Sequence, residues 1–342
     1  MVSLTGVALS RPEGRQSPDP LISIVIPCYD EEDALHALHR SLTRAFASRR
    51  DFRYQLVFVD DGSKDATAEI LRDLAAGDGR TTVVTLSRDF GQQYAITAGL
   101  QYASGDAVIL CDADLQDGPD AMLQMIDRWR KGADVVYGVR NRRKEPAIVR
   151  ASYFAFYRVL RMLAEAEIPV DSGDFGLMDR KVVEVINALP ERNRFVRGMR
   201  AWVGFRQVAL PYQRQARLAG RSKYSLARLI RLAFDGIFDF STKPLTVIFW
   251  MGLLASFLSL AGFMFVLIHR LLGFKIFGHS PAEVPGYTTV MLALFFLGGV
   301  QLLAIGVLGE YVGRIYKEVK QRPGSVVKAV LNPGQNQEQT DR

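Results

Sequence analysis

Between residues 21 and 140, short apolar runs alternate with segments that have helical spacing. The runs are Leu21–Pro27, Tyr54–Asp60, Thr82–Leu86, Asp106–Asp112 and Ala133–Val139. The segments between them carry apolar residues three or four positions apart, which is the spacing of one helical face. Strand–helix alternation of this kind predicts an α/β fold with a mainly parallel sheet covered on both faces.

The last third of the chain has a different pattern. Residues 245–268 and 290–308 contain no charged side chain. A bilayer core of roughly 30 Å is spanned by about 20 helical residues. We therefore predict a hairpin of two transmembrane helices over 244–313. The alternative is a pair of helices buried in a soluble core.

Basic residues flank this hairpin on the side that holds the preceding domain and the following tail. They are Arg217, Arg221, Lys223, Arg228, Arg231, Lys243, Arg314, Lys317, Lys320 and Arg322. Positive charge concentrates on the cytoplasmic side of membrane proteins. The pattern therefore predicts an inner or plasma membrane protein with two spans, whose catalytic domain and both termini are cytoplasmic.

The remaining segments complete the predicted organisation. Residues 1–20 are polar and proline-containing, which predicts a disordered tail. Residues 225–243 have an apolar and a basic face, as expected of a juxtamembrane amphipathic helix lying in the interface; a helix packed on its own domain is the alternative. Residues 21–224 then form the soluble domain, and residues 314–342 a cytoplasmic C-terminal tail.

Composition narrows the class of protein. The 342 residues are 49% apolar and 23% charged, which excludes whole-chain disorder. Two cysteines exclude a disulfide scaffold and a cysteine-based zinc module. The mean hydropathy of +0.06 averages a charged domain with two uncharged stretches. The net charge is +7, and much of the positive charge lies beside the predicted hairpin, where an anionic lipid substrate would arrive. No nucleic-acid partner is predicted.

Acidic residues follow several of the apolar runs. Asp30 and Glu31 come after the first run, Asp60-Asp61 end and follow the second, and Asp112-Ala113-Asp114 close the fourth. Ligands of parallel α/β sheets bind beyond the carboxyl ends of the strands. No glycine-rich loop follows any run, which disfavours a dehydrogenase or a P-loop ATPase.

Carboxylates that converge at one edge repel each other unless a cation joins them. Mg²⁺ and Mn²⁺ prefer oxygen ligands, often completed by phosphates. If the chain stays extended, Asp112, Asp114 and Gln116 share one side and could face a single ion. Use of Asp in turns and helix caps is the alternative, which we prefer for Asp65 and Asp120.

Other side chains at these strand ends suit a nucleotide. Asp60 or Asp61 could accept hydrogen bonds from a nucleobase or a ribose. Tyr29 could pack against the base, and Pro27 would shape the turn that carries it.

The segments 26–32, 59–63 and 112–116 resemble the signatures of family 2 glycosyltransferases, which have the GT-A fold. The sequences at 173–180, 194–198, 222–224 and 308–316 are similar to those of the polyisoprenyl-phosphate glycosyltransferases. That group includes dolichol-phosphate mannose synthase and the bacterial bactoprenol glucosyltransferases. The resemblance covers about residues 21–325.

The resemblance implies roles for matching residues. Asp112, Asp114 and Gln116 would bind Mg²⁺ or Mn²⁺, and Asp174 and Asp114 would be catalytic. The nucleotide sugar would be bound by Pro27, Tyr29, Glu31, Asp60, Asp61, Asp112, Ala113, Asp114 and Arg140.

Two residues depart from the family pattern. Asp30 and Asp89 stand where the family usually has Asn. Both changes replace an amide with a carboxylate and so add negative charge at these two positions.

The implied reaction is an inverting, metal-dependent transfer of one sugar from a nucleotide diphosphate sugar to a membrane polyprenyl phosphate. UDP-glucose is the favoured donor, because residues 191–198 and the two spans look most like bactoprenol glucosyltransferases. A GDP-mannose-dependent mannose synthase is the first alternative. The others are a processive polysaccharide synthase, whose Q-x-x-R-W motif does not match here, and a membrane-anchored nucleotide-sugar binder.

The acceptor and Asp174 leave questions open. Asp174 lies in a Gly-flanked segment, predicted as a turn, and would be either a base or a positioning group. Arg217, Arg221 and Lys223 would bind the acceptor phosphate, with attraction to anionic lipid as the alternative. The resemblance also implies a homo-oligomer, with a tetramer as the candidate.

Overall fold

A computed structural model describes residues 17–140, 172–192, 194–213, 243–272 and 287–333. The described strands are β1 (Leu21–Cys28), β2 (Arg53–Asp60), β3 (Thr81–Leu86), β4 (Ala107–Leu110), β5 (Val135–Arg140), β6 (Ser172–Asp179), β7 (Gln207–Tyr212) and β8 (Val327–Leu331). The described helices are α1 (Glu32–Ala47), α2 (Thr67–Gly77), α3 (Gln92–Tyr102), α4 (Pro119–Arg130), α5 (Arg180–Ala188), α6 (Val196–Trp202), α7 (Lys243–Leu272) and α8 (Tyr287–Val319).

The strands form one mixed sheet in the order β7-β5-β6-β4-β1-β2-β3-β8. Strand β1 pairs in parallel with β2 and β4, β2 with β3, and β5 with β7. Strand β6 runs antiparallel to β4 and β5, and β8 runs antiparallel to β3. The mostly parallel sheet that the apolar runs predicted is confirmed.

Both faces of the sheet are buried. Successive side chains of a strand point to opposite faces. Ile24 of β1 belongs to a core cluster that includes residues of α1, α2 and α4. Its neighbour Val25 belongs to a second cluster with residues of α3, α5 and α6. Because helices cover each face, the apolar runs need no polar alternation, as the sequence shows.

The Gly-flanked segment around Asp174 is a strand, so the prediction of a turn there is wrong. Its glycines meet a steric demand instead. A Cβ on Gly176 would lie 2.9 Å from the carbonyl oxygen of Val136 and 3.0 Å from a guanidinium nitrogen of Arg200. Glycine therefore lets β6 pass close to β5 and α6 without reversing the chain.

Residues after α8 return to the sheet. Strand β8 pairs with β3, with Val330 opposite Val84. The side-chain amide of Asn332 donates to the carbonyl oxygens of Ala75 and Thr81, at 2.7 and 3.1 Å. The sheet thus extends beyond residues 21–224, and the sequence did not predict this strand.

Helices α7 and α8 contain the two uncharged stretches. Among the described residues, no helix combines the length and the apolar character that crossing a bilayer requires. Most of the interfacial helix predicted over 225–243 lies outside the described residues.

Candidate active site

The register of the strands gathers the acidic turns at one edge of the sheet. Cys28 at the end of β1 lies opposite Asp60 at the end of β2, and Val25 lies opposite Leu110 at the end of β4. Because β6 runs antiparallel to β4, with Gly176 opposite Leu110, the start of β6 reaches the same edge. Asp174 therefore lies on the same edge as the acidic turns, which we call the carboxyl edge.

The turn after β1 is tied to the turn after β2. The backbone N–H of Asp30 donates to the hydroxyl of Ser63, and its carboxylate accepts from the backbone N–H of Lys64. The backbone N–H of Glu31 donates to Thr67 at 2.9 Å. These bonds hold the predicted nucleotide-binding residues Pro27, Tyr29 and Glu31 half-exposed at the edge.

Asp60 and Asp61 are buried and serve the backbone of neighbouring loops. A carboxylate oxygen of Asp60 accepts from the backbone N–H of Ser63 at 3.0 Å. The two oxygens of Asp61 accept from the backbone N–H groups of Phe90 and Gly91, at 2.9 and 2.8 Å. Both carboxylates therefore shape the edge from within, whatever they contact in a complex.

Burial raises the pKa of Asp61 from 3.8 to about 6. The hydrogen bonds from Phe90 and Gly91 oppose this shift, and the neighbouring carboxyl of Asp89 adds to it. Asp89, which stands where the family usually has Asn, therefore raises the pKa of a buried carboxyl group in the site.

The turn after β2 depends on Gly62. Its φ is +72°, in the left-handed region, and a Cβ would lie 2.5 Å from the carbonyl carbon of Arg88. Any side chain would push the loop after β3 away from the turn. That loop carries the N–H groups that bind Asp61, so Gly62 allows this contact.

The Asp112-x-Asp114 segment bends rather than continuing as a strand. Leu115 has a φ of +58°, and the backbone N–H of Gln116 donates to Asp114 at 3.2 Å. The condition of an extended chain, under which Gln116 shares a side with both carboxylates, is not met. Asp112 accepts from the side-chain amide of Gln92 at 3.0 Å, and Ala113 is buried in the core.

The donors at this segment have the chemistry of a Mg²⁺ or Mn²⁺ site, since both side chains are carboxylates. Within the part of the chain that the structure describes, no group of three or more His, Cys, Asp or Glu residues is arranged to hold a metal. A pair of carboxylates suits an ion that takes its remaining ligands from phosphates and water.

Asp174 is held by residues from two helices. Its Oδ2 accepts from the side-chain amide of Gln93 at 3.1 Å, and its Oδ1 lies 3.4 Å from Nε of Arg197. Its side chain keeps 13% of its surface exposed. Both oxygens of this carboxylate are held in place, and part of the side chain is still exposed to solvent. Asp174 is therefore able to contact a bound substrate.

Arg200 lies one helical turn beyond Arg197 and is fully buried. Its guanidinium donates to the carbonyl oxygen of Gly173 at 3.3 Å. Burial lowers its pKa to about 10, while the charge of Asp174 opposes that shift. The side chain remains charged at neutral pH, so a buried cation stands beside the carboxylate.

Sequence reasoning assigned no role to Gln92, Gln93, Arg197 or Arg200. The sequence could have indicated the two glutamines at the start of α3, because the third apolar run also ends at the carboxyl edge. Arg197 lies in the 194–198 segment that the resemblance singled out. The contacts of Arg197 and Arg200 with the Asp174 region depend on the packing of α6 against β6, which no local pattern reports.

Some predicted residues cannot be placed. Arg140 ends β5, but its side chain lies outside the described part of the structure. Arg217, Arg221 and Lys223 also lie outside the described residues.

The chain is similar to known glycosyltransferases. The model of glycosyl transferase family 2 matches residues 23–186, and the model of the GtrB C-terminal hairpin matches residues 243–315. The uncharacterized glycosyltransferase YkcC of Bacillus subtilis is 43% identical over 307 residues, which cover 90% of this chain and 93% of that protein. The chain belongs to glycosyl transferase family 2. It is a glycosyltransferase, and its sheet is mixed and mostly parallel.

A second relative carries a more specific name. The SfII prophage-derived bactoprenol glucosyl transferase of Shigella flexneri is 41% identical over 308 residues, covering 90% of this chain and 97% of that protein. A solved glucosyl-3-phosphoglycerate synthase from Mycobacterium tuberculosis is 20% identical, covering 64% of this chain and 78% of that one. Its TM-score of 0.42 is too low to bear on the chemistry of this chain.

Proposed function

We propose that this glycosyltransferase transfers a single sugar from a nucleotide diphosphate sugar to a membrane polyprenyl phosphate. The observation that carries the proposal is the meeting of Asp112, Asp114 and Asp174 at one edge of the sheet. A relative named bactoprenol glucosyl transferase, similar over 90% of the chain, supports the lipid acceptor.

The donor binds at the turns after β1, β2 and β4. Tyr29 packs against the base, and Glu31 and the Asp60–Asp61 turn contact the nucleoside. Asp112 and Asp114 would hold Mg²⁺ or Mn²⁺, which would neutralise the charge of the departing diphosphate. Arg140, at the end of β5, reaches the diphosphate or the sugar.

Transfer proceeds with inversion. An oxygen of the acceptor phosphate attacks the anomeric carbon on the face opposite the diphosphate, and the bond from that carbon to the diphosphate breaks. A phosphate monoester has a second pKa near 6, so at neutral pH it needs little help in losing a proton. The contacts of Asp174 with Gln93 and Arg197 favour a role in positioning the sugar or the acceptor over a role as base.

The acceptor reaches the site from the membrane. The uncharged stretches in α7 and α8 form a transmembrane hairpin, with the catalytic domain and both termini in the cytoplasm. Large apolar side chains exposed on these helices, such as Phe249, Trp250 and Leu302, support contact with lipid. Arg217, Arg221 and Lys223 attract the acceptor phosphate, and the protein assembles as a homo-oligomer.

The favoured donor is UDP-glucose, with GDP-mannose as the alternative. The test is incubation of membranes that contain the protein with radiolabelled nucleotide sugars and undecaprenyl phosphate. Formation of a lipid carrying one labelled sugar supports the proposal, and the donor that supports it names the sugar. Labelled polymer would indicate a processive synthase, and no transfer from any donor would indicate a binding protein.

A further inference from the structure

We infer that Gln93 is a positioning residue for Asp174, setting the orientation of its carboxylate for the transfer. The inference rests on the proposed function, because Asp174 has no assigned task without it. Gln93 is the second residue of α3 and is half-buried, and its side chain reaches both β6 and α6.

The orientation of the Gln93 amide follows from its partners. The backbone N–H of Val196 lies 2.9 Å from Oε1 of Gln93. A backbone N–H can only donate, so the oxygen of the amide must face it. The NH₂ group must then face Asp174, whose Oδ2 lies 3.1 Å away and must accept.

The side chain of Gln93 therefore makes two hydrogen bonds, one to the backbone of α6 and one to Asp174. Val196 is the first residue of α6, where backbone N–H groups have no partner within the helix. Gln93 satisfies that N–H and presents a donor to Asp174. Since α3, β6 and α6 are distant in sequence, this bridge fixes the carboxylate relative to the helix that carries Arg197.

Arg197 makes the bridge necessary. Its Nε lies 3.4 Å from Oδ1 of Asp174, at the long end of a hydrogen bond. Arginine tends to pair with a carboxylate through two parallel bonds. Without the amide on Oδ2, Asp174 is free to rotate towards Arg197 and away from a bound sugar. The amide of Gln93 holds the carboxylate of Asp174 between these two orientations, so that one edge of the carboxylate faces the substrate.

The neighbouring Gln92 provides a contrast. Its amide donates to Asp112, in the predicted nucleotide and metal site. Two adjacent glutamines therefore contact two different carboxylates of the site. Replacing Gln92 should raise the KM for the nucleotide sugar, whereas replacing Gln93 should lower kcat.

The experiment is a kinetic comparison of full-length variants in detergent or membranes. In Gln93→Leu we expect kcat to fall by about 10- to 100-fold, the size of effect expected for losing one hydrogen bond to a charged group, with both KM values unchanged. Gln93→Glu should fall further, because a second carboxylate then faces Asp174. Gln101→Leu, about two turns further along the exposed side of α3, is the matched control and should retain wild-type kinetics.

A double variant separates action through Asp174 from a general structural role. Adding Gln93→Leu to Asp174→Asn should cause no further loss of kcat, since the carboxylate to be positioned is already gone. Independent, multiplying losses would overturn the inference. So would a normal kcat in Gln93→Leu, or a loss confined to KM.

The two proposals fail in different ways. If the wild type transfers no sugar, the proposed function fails. The wild type, Gln93→Leu, Asp174→Asn and the double variant are then compared by thermal unfolding. Non-additive changes in Tm for Gln93→Leu and Asp174→Asn would still support the bridge. Additive changes would overturn it.

Discussion

The carboxylates at the two ends of the parallel strands are held in different ways. At the amino ends, Asp51 receives two bonds of 2.7 Å from Arg49 and lies 3.1 Å from Arg130. At the carboxyl ends, Asp61 and Asp112 accept from backbone and amide groups that carry no charge. The bonds to Asp51 bring positive charge to its carboxylate, whereas these bonds to Asp61 and Asp112 bring none. Asp174, at the same carboxyl edge, combines the neutral donor Gln93 with the cation Arg197.

The pKa values follow this difference. The hydrogen bonds from Arg49 lower the pKa of Asp51 to about 2. Burial raises the pKa of Asp61 to about 6. At the opposite edge of the sheet, which we call the amino edge, the charge of Asp51 is paired without a ligand. The carboxyl edge concentrates negative charge that a divalent cation would neutralise. Pairing with two arginines therefore distinguishes Asp51 from Asp61 and Asp112.

The largest effect is expected at Asp114. In Asp114→Asn one charge of the proposed metal site is lost, and several kcal/mol of transition-state stabilisation correspond to a drop in kcat/KM of about 10²- to 10³-fold. The measurement is transfer of labelled sugar to undecaprenyl phosphate. Asp120→Asn is the matched control, since Asp120 lies exposed in the first turn of α4, and it should keep wild-type activity. Equal losses in both variants would contradict a specific role for Asp114 in the metal site.

The next effect is a dependence of stability on pH that comes from Asp61. Its pKa is raised in the folded protein, so its contribution to stability is complete below pH 3.8 and is lost as pH rises through 6. The loss amounts to at most about 3 kcal/mol. Unfolding in detergent without nucleotide, at pH 4 to 7, should show this slope in the wild type and not in Asp61→Asn.

A second variant tests the cause of that slope. Asp89→Asn removes a neighbouring carboxyl, so the upper end of the pH window should move down while the slope persists. An identical pH dependence in the wild type and in Asp61→Asn would show that Asp61 has an ordinary pKa.

A smaller effect is expected where β8 meets the amino edge. Asn332→Ala removes two hydrogen bonds to backbone carbonyls, and its φ of +50° disfavours Ala. The free energy of unfolding should fall by roughly 1–2 kcal/mol, with transfer unchanged. Asn332→Gly tolerates the backbone conformation and isolates the part due to hydrogen bonds. A loss of transfer in either variant would show that the two edges are coupled.

The smallest effect is expected at Asp51. Its ion pairs are partly exposed and screened, so Asp51→Asn should lower the free energy of unfolding by about 1 kcal/mol or less. Because the pKa of Asp51 is lowered, this contribution is present above pH 3.8 and is lost as pH falls through 2. Chemical unfolding at pH 7 measures the difference, and a large loss of transfer would contradict a purely structural role.

The sequence predicted which acidic residues share one edge of the sheet, but it did not predict strand β8 or the residues that contact these acids. The apolar runs placed Asp61, Asp112 and Asp114 at one edge, because parallel strands end together. Strand β8 escaped prediction because its five residues pair with β3, some 240 positions earlier in the chain. The roles of Gln93 and Arg200 depend on contacts between distant elements, which no local pattern reports.

The most direct test of the carboxyl edge is calorimetric titration of the purified protein with UDP and, separately, GDP, each with and without Mn²⁺. We expect one nucleotide to bind the wild type tightly when Mn²⁺ is present, and to bind weakly without the metal or in Asp114→Asn. Binding of equal strength without metal, undiminished binding by Asp114→Asn, or no binding of either nucleotide would contradict the assignment of this edge as the donor site.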